Sequence, residues 1–478
     1  MNNINKMTLL AASLLAASLM AGCHDDNYDM KYPPKYDLPD LPAVEDIHTF
    51  KAPLYWSVYE YCYVNEQNGV ANENQDISEA EWDKILDWVA RDLKPHGYDM
   101  VCTDGFIPML AKDASGYMTH YGSMPLKTLV EHAKARGLKV GVYDNPLWIH
   151  GPEETKVEGH QTATFRSLQY TATDEVRNKN VPDQWFYWAV ASHTGCKEFI
   201  DGFFKHYKEL GVEYIRMDFL SWYEDGTDRN MGTVGRGYGR DVYARALNYI
   251  AEAAKKYGIF TSLVMPHMYD DAVLEAQYGN MVRIVADTGR GGWGHCSSNS
   301  RGQSFTNWPN CNNMFDGFTF WNHISGRNKV ILDGDFIRLN TFSTEAEKQT
   351  VVSLQLMAGG PVTVADQYHN IGDNLKYYTN DELLALNADR FCGRPLSDKL
   401  NDADNQIWYG TMSDGDVVIG LFNRDDATKT LSVDLGAIGA DGVWAVRDLW
   451  RHADEGSATK TFSADVPAHG CKIVRLSK

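Results

Sequence analysis

The chain has 478 residues, 44% of them hydrophobic and 23% charged, which excludes a disordered polypeptide and leaves room for a large domain plus an accessory one. Its formal net charge of −19 argues against a phosphate-binding face of clustered Lys and Arg, so no nucleic-acid partner is expected and a neutral ligand suits the charge best. Aromatic residues reach 12%, enough for a large core or for flat platforms in a binding site.

Lys6 precedes an apolar run from Met7 to Met20, followed by Ala21-Gly22-Cys23. A short basic start, a short apolar stretch and small residues make residues 1–22 a secretory signal. The run is too short to span a membrane comfortably. A cysteine directly after the small residues has the pattern of a bacterial lipobox, so Cys23 is the expected lipid anchor; ordinary signal cleavage near Ala21 is the alternative. Asp25 and Asp26 resemble the export tag of surface lipoproteins. The expected location is therefore the outer membrane, surface-exposed or periplasm-facing, with membrane contact through the anchor only. Residues 23–47 contain repeated prolines and read as a tether.

From residue 48 strands and helices alternate. Short apolar runs predict strands at 54–60, 99–104, 139–144, 214–218, 259–264, 281–287, 329–333 and 361–365. Helical periodicity covers 78–93, opened by a Ser78 and Glu81 capping pattern, then 125–136, 194–210, 241–257, 343–357 and 381–388. Eight strands alternating with helices predict an α/β fold, a (β/α)8 barrel over residues 48–392. An open doubly wound sheet is the alternative, but it usually has fewer strands and a Gly-rich phosphate turn. The GRGGWG run starting at Gly289 lacks the GxGxxG order and reads as a substrate loop. Residues 393–478 carry short β segments with turn signals such as Ser413-Asp414-Gly415, which predict a C-terminal antiparallel β-sandwich.

Lipidation of Cys23 leaves seven of the eight cysteines, an odd number. Cys296 and Cys311 lie in one polar loop and could bridge in an oxidising compartment. No CxxC or His-x-His spacing suggests a metal site, and no cofactor is implied.

Five predicted strands end in an acid: Asp104, Asp144, Asp218, Asp287 and Asp333. Barrel enzymes place their chemistry at these strand ends. One such acid is often a helix cap, but five around one rim are not explained by capping alone. Cleaving a glycosidic bond usually takes two carboxyls flanking it. Arg216 and Asp218 fall on one strand face, as do Arg283 and Asp287, and a guanidinium beside a carboxylate holds it ionised. Asp218 and Asp287 are therefore the candidate catalytic pair. Ion pairs within the barrel layers are the structural alternative.

In their order and spacing these motifs resemble glycoside hydrolase family 27 of the α-galactosidase clan, which also holds families 31 and 36. Arg-Met-Asp218 is similar to the family's Lys-x-Asp nucleophile strand, and Arg283-x-x-x-Asp287 to its acid/base strand. Lys139-Val-Gly-Val-Tyr143-Asp resembles its third strand, and Asp333-Gly-Asp335-Phe its Asp-Pro-Asp-Met element. Leu354 to Pro361 with Val364-Ala-Asp366, then Val446-Arg-Asp-Leu-Trp450, continue the likeness into the last domain. The resemblance implies a retaining double displacement, with Asp218 as nucleophile and Asp287 as acid/base, on an oligosaccharide or polysaccharide. Candidate substrate-binding residues around them are Tyr59, Thr103, Asp104, Tyr143, Arg216, Arg283 and Asp335.

The departures lie in the sugar pocket. Thr103-Asp104 stands where the family has Asp-Asp, and Arg216 where it has Lys. The fifth strand ends Leu263-Val-Met-Pro266, where a Cys-Glu-Trp-Pro type motif reads the 2-hydroxyl. An α-galactoside-like glycan is the main expectation. An α-glucan cleaved by an isomaltose-releasing dextranase of the same clan is the alternative, and a non-catalytic surface glycan-binding lipoprotein the rival from another class.

Overall fold

A computed structural model describes residues 38–61, 63, 76–104, 117–169 and 187–478. The expected signal, Cys23 and most of the tether lie outside the described residues.

The eight apolar runs form β1 (Leu54–Ser57), β2 (Met100–Cys102), β3 (Lys139–Tyr143), β4 (Tyr214–Met217), β5 (Phe260–Leu263), β6 (Met281–Arg283), β7 (Ile331–Asp333) and β8 (Val362–Val364). They pair in parallel in the order β7-β6-β5-β4-β3-β2-β1-β8. The ring closes beyond the end of β7, where Ile337 N donates to Thr363 O at 2.9 Å and Ala365 N donates to Ile337 O at 3.0 Å. Parallel strands covered on both faces need no polar alternation, which is why they read as short continuous apolar runs.

The expected helices form as α1 (Glu79–Trp88), α2 (Leu126–Ala135), α3 (Cys196–Leu210), α4 (Arg240–Tyr257), α7 (Glu345–Met357) and α8 (Asp381–Ala388), with α5 (Tyr269–Tyr278) and α6 (Met314–Trp321) between α4 and α7. Local signals set their ends. Ser78 Oγ accepts from Glu81 N at 3.2 Å at the start of α1. Thr344 and Glu347 form a reciprocal capping box on α7. Gly211 stops α3 at φ 92, a backbone angle that a Cβ disfavours. Among the described residues, short helices at Phe165–Gln169, Leu220–Glu224 and Leu375–Tyr378 and the two longer ones, α5 and α6, were not predicted. Helix α5 opens with three left-handed residues, Asp270 to Ala272, and α6 reads MFDGFTFW, apolar nearly all round and so without an amphipathic stripe.

After α8 come β9 (Arg394–Pro395), β10 (Ile407–Thr411), β11 (Val417–Phe422), β12 (Lys429–Asp434), β13 (Trp444–Asp448), β14 (Ala453–Ala458), β15 (Thr461–Val466) and β16 (Cys471–Ser477). A six-stranded antiparallel sheet, β9-β10-β11-β16-β13-β14, packs on the β12-β15 pair to give the expected sandwich.

A buried cation ties the two units together. Arg424 donates to Asp316 Oδ1 at 2.7 Å and to Ser297 Oγ at 2.7 Å, and its guanidinium lies 4.3 Å from the Phe315 ring. The disulfide considered between Cys296 and Cys311 does not form; both thiols are free and buried. Their surroundings differ: Cys296 faces Arg424 and Cys471, whereas Cys311 faces Asp316 and Arg229.

Candidate active site

Asp218 is the first residue past β4. The chain turns sharply there, with Phe219 at φ 63, and this lifts the carboxylate out of the barrel layer. Three groups fix it: Tyr143 Oη donates to Oδ2 at 2.9 Å, Phe219 N donates to Oδ1 at 2.8 Å, and Asn145 Nδ2 donates to the Asp218 carbonyl at 2.8 Å. Burial keeps the Tyr143 hydroxyl protonated, so it stays a donor. Burial also raises the pKa of Asp218 above the ordinary carboxylate range, against the nearby charge of Arg283, while the Asp287 charge adds to the rise.

Asp287 lies four residues beyond β6, not on the strand as expected. Its side chain is 67% exposed and pairs with Arg283 Nη2. The expected partnership of Arg283 and Asp287 is therefore found, although it is not made across one strand face. Arg283 is itself buried under the Trp308 ring, 4.6 Å from its centre. Asp218 is thus held partly buried, while Asp287 reaches into open space. A nucleophile that must lie close to one carbon needs the first environment; a group that exchanges protons with leaving group and water needs the second.

Arg216 does not pair with Asp218, contrary to expectation. Its Nη1 donates to Asp333 Oδ2 at 3.1 Å and its Nη2 to Asp335 Oδ1 at 2.8 Å. The reason is burial: Asp333 and Asp335 are almost fully enclosed and need a cation, and Arg216 is the guanidinium inside the same layer. Here the ion pair within the barrel layer is the observed arrangement. Asp335 is a hub. Its Oδ2 accepts from Thr288 N at 2.7 Å and Thr288 Oγ1 at 2.9 Å, and its Oδ1 lies 3.7 Å from Arg283 Nη1. Burial opposes its charge, but Arg283 and Arg216 outweigh it and hold Asp335 below the usual range. Its backbone is left-handed, φ 69. Asp335 orders Thr288, the neighbour of Asp287.

The remaining candidates line the walls. Tyr59 is buried between Phe336 and Tyr63, and its hydroxyl accepts from Gly289 N at 3.1 Å, at the start of the GRGGWG loop. Thr103 Oγ1 accepts from Tyr143 N at 3.0 Å, which directs it to the β3 backbone. Asp104 is buried, with its amide donating to Tyr121 Oη at 3.2 Å. At the end of β5, Val264, Met265 and Trp308 form a small apolar cluster with Phe219 and Trp222 against it. Sequence reasoning missed Trp308, His267 and Asp228. Trp308 and His267 sit in irregular segments and Asp228 in a two-residue hairpin strand, all without periodicity, and only their aromatic or ionisable chemistry in polar segments could have flagged them. Among the described residues no cluster of His, Cys, Asp and Glu could hold a metal ion.

Residues 402–476 match the alpha galactosidase C-terminal beta sandwich domain. The isomalto-dextranase of Arthrobacter globiformis is 38% identical over 451 residues, covering 89% of this chain and 67% of that protein. The solved structure of the Arthrobacter globiformis T6 isomalto-dextranase complexed with panose has a TM-score of 0.82 at 36% identity, covering 90% of this chain and 73% of that one. A rice α-galactosidase is 25% identical, covering 87% of this chain and 82% of its own length. A β-L-arabinopyranosidase from Geobacillus stearothermophilus shares the fold, with a TM-score of 0.67 at 19% identity over 90% of this chain and 97% of that one. A barrel with two such carboxylates at its rim and these relatives defines a glycoside hydrolase. The chain belongs to glycoside hydrolase family 27, the α-galactosidase-like family.

Proposed function

We propose that the protein hydrolyses α-1,6-linked glucan with retention of anomeric configuration, using Asp218 as nucleophile and Asp287 as acid/base. In the first step an Asp218 oxygen bonds to the anomeric carbon, the bond to the leaving oxygen breaks, and Asp287 gives that oxygen its proton. In the second step Asp287 takes a proton from water, the water oxygen bonds to the anomeric carbon, and Asp218 leaves. Tyr143 steadies the attacking carboxylate, and Arg283 holds Asp287.

One observation carries the choice of sugar: the two places that would grip a galactoside are altered. Thr103 turns its hydroxyl to the Tyr143 amide, and the end of β5 offers Val264 and Met265 rather than an acid. A lost charge-assisted hydrogen bond costs about 1.5–3 kcal/mol, roughly ten- to a hundredfold in affinity. The likeness to the Arthrobacter isomalto-dextranase supports the glucan reading. The α-galactoside reading is kept by Asp104, which remains at the β2 end. The test is a screen of dextran, isomaltooligosaccharides and aryl α-glycosides with wild type and Asp218→Asn side by side. Release of short α-1,6 glucosides, first in the α configuration and only by wild type, is the expected result. Cleavage of an aryl α-galactoside at a kcat/KM of ~10⁴ M⁻¹s⁻¹ or more, with dextran untouched, overturns it.

We also propose that Cys23 is lipidated and anchors the enzyme to the outer membrane, on the motif at residues 21–23. Incorporation of an alkynyl fatty acid that is lost in Cys23→Ala is the expected readout. A labelled Cys23→Ala protein refutes the assignment.

A further inference from the structure

The segment after Asp218 folds into a hairpin, with Thr227–Asp228 paired to Gly232–Thr233. Both neighbours of Asp228 are strapped down. Thr227 Oγ1 donates to Asp225 Oδ1 at 2.6 Å, and the same oxygen accepts from His267 Nε2 at 2.9 Å. His267 Nδ1 in turn accepts from Trp308 N at 2.8 Å, which fixes the ring as its Nε2–H tautomer. On the other side, Arg229 N donates to Trp308 O at 2.7 Å. The hairpin is therefore pinned to the loop carrying Trp308, the ring that covers Arg283 and packs on Val264 and Met265.

Asp228 is only 5% exposed. Its Oδ1 accepts from Asn230 N at 2.7 Å and Met231 N at 3.1 Å, and among the described residues Oδ2 has no donor. With no donor from the chain itself, and with Asp228 still 5% exposed, Oδ2 is open to a donor from outside the chain. Burial raises the pKa of Asp228, and the charge of Asp287 adds to the rise, so the two carboxylates lie within electrostatic range of each other. At the end of β5, Val264 and Met265 carry no acceptor, and the polar side chain that follows, His267, is already bonded to Asp225 and Trp308 N, so a sugar hydroxyl directed there finds no acceptor on that segment.

We infer that Asp228 is a specificity-determining residue, whose Oδ2 accepts a hydrogen bond from the 2-hydroxyl of the sugar ring attacked by Asp218. A hydrogen bond at that hydroxyl strengthens as the oxocarbenium-like transition state forms. The loop from β4 thus supplies the acceptor that β5 lacks. This assignment rests on the reading of Asp218 and Asp287 as the catalytic pair.

The test compares 4-nitrophenyl α-isomaltoside with its analogue lacking the 2-hydroxyl on the nitrophenyl-bearing ring. Asp228→Asn keeps Oδ1 for the two backbone amides and turns an NH2 group to the substrate in place of the acceptor. It should lower kcat/KM on the parent about ten- to a hundredfold and leave the 2-deoxy analogue nearly unchanged. Asp228→Ala should give the same pattern, and thermal melting reports whether either variant is folded. An equal loss on both glycosides makes Asp228 structural and overturns the inference. So does a loss seen only with isomaltooligosaccharides, which would move the contact to the leaving-group sugar. The catalytic reading is checked separately, by mass spectrometry of wild type treated with 2-deoxy-2-fluoro-isomaltosyl fluoride. A label on Asp218 with equal losses sinks the Asp228 assignment alone; no label, or a parent glycoside left uncleaved by wild type, sinks both.

Discussion

Asp287 is exposed and Asp218 enclosed, and the roles proposed for them make each difference measurable. Removing a general acid costs about 10²–10⁴-fold when the leaving group needs a proton and much less when it is already acidic. Asp287→Ala should therefore cripple cleavage of isomaltooligosaccharides by that factor and spare an activated aryl glycoside. Azide should restore turnover and give a glycosyl azide of retained configuration; equal loss on both substrates without rescue would remove Asp287 from the acid/base role. In the proposed role Asp218 must be ionised to attack, and burial has already raised its pKa. Tyr143 donates to the anion, so Tyr143→Phe removes a bond that favours the charged form. The pKa rises further, and the acid limb of the kcat/KM profile should move to higher pH. A limb that stays in place or moves down would mean that another group controls it.

At the scale of elements, most of the barrel was legible in the sequence because buried parallel strands and capped helices leave local signatures. The strands came out shorter than their apolar runs, since the last residues of most runs leave the ladder to form the rim, whereas β7 keeps Asp333 and loses residues at its start. That shift matters at the site. Period-two alternation placed Arg216 beside Asp218, but β4 ends at Met217 and the demand of two enclosed carboxylates across the barrel captures the guanidinium. Such a pairing joins residues 117 and 119 positions apart, and no local pattern encodes it. Asp366, at the end of β8, shows a second rim acid whose role is support: its carboxylate accepts from Leu339 N at 2.8 Å, Asn340 N at 2.9 Å and the Tyr378 hydroxyl. Burial raises its pKa to about 6, so the folded state holds this proton more tightly than the unfolded chain does. Its contribution to stability is full below about pH 4 and is lost as pH rises through about 6, a change of up to about 3 kcal/mol. Asp366→Asn lacks this titration. Urea denaturation of both proteins should show the wild-type advantage over the variant shrinking between pH 4 and pH 7; a gap that stays constant would contradict the raised pKa.

At the scale of the whole molecule, the sandwich is bound to the catalytic unit by groups that neither could leave unpaired. Asp316 on α6 is fully enclosed and takes Arg424 as its cation, with Gly302 N and Asn313 Nδ2 on its other oxygen at 2.7 and 2.8 Å. Nearby, Trp293 of the GRGGWG loop stacks on His469 of the sandwich at 4.3 Å, and His469 Nδ1 lies 2.8 Å from Glu347 on α7. The loop that meets Tyr59 at the active-site rim is therefore braced from the other unit. Breaking a buried pair by removing one partner typically costs about 3–5 kcal/mol, because the remaining charge is stranded. Arg424→Met should lower stability by that amount. Adding Asp316→Asn should recover part of it, since a neutral amide at residue 316 needs no cation. Because the ion pair spans the interface, wild type should unfold in one calorimetric transition, and Arg424→Met should lower its midpoint or split it in two. A wild-type protein that already shows two transitions, or an Arg424→Met variant as stable as wild type, would mean that the units fold independently and that the brace behind the rim loop is incidental.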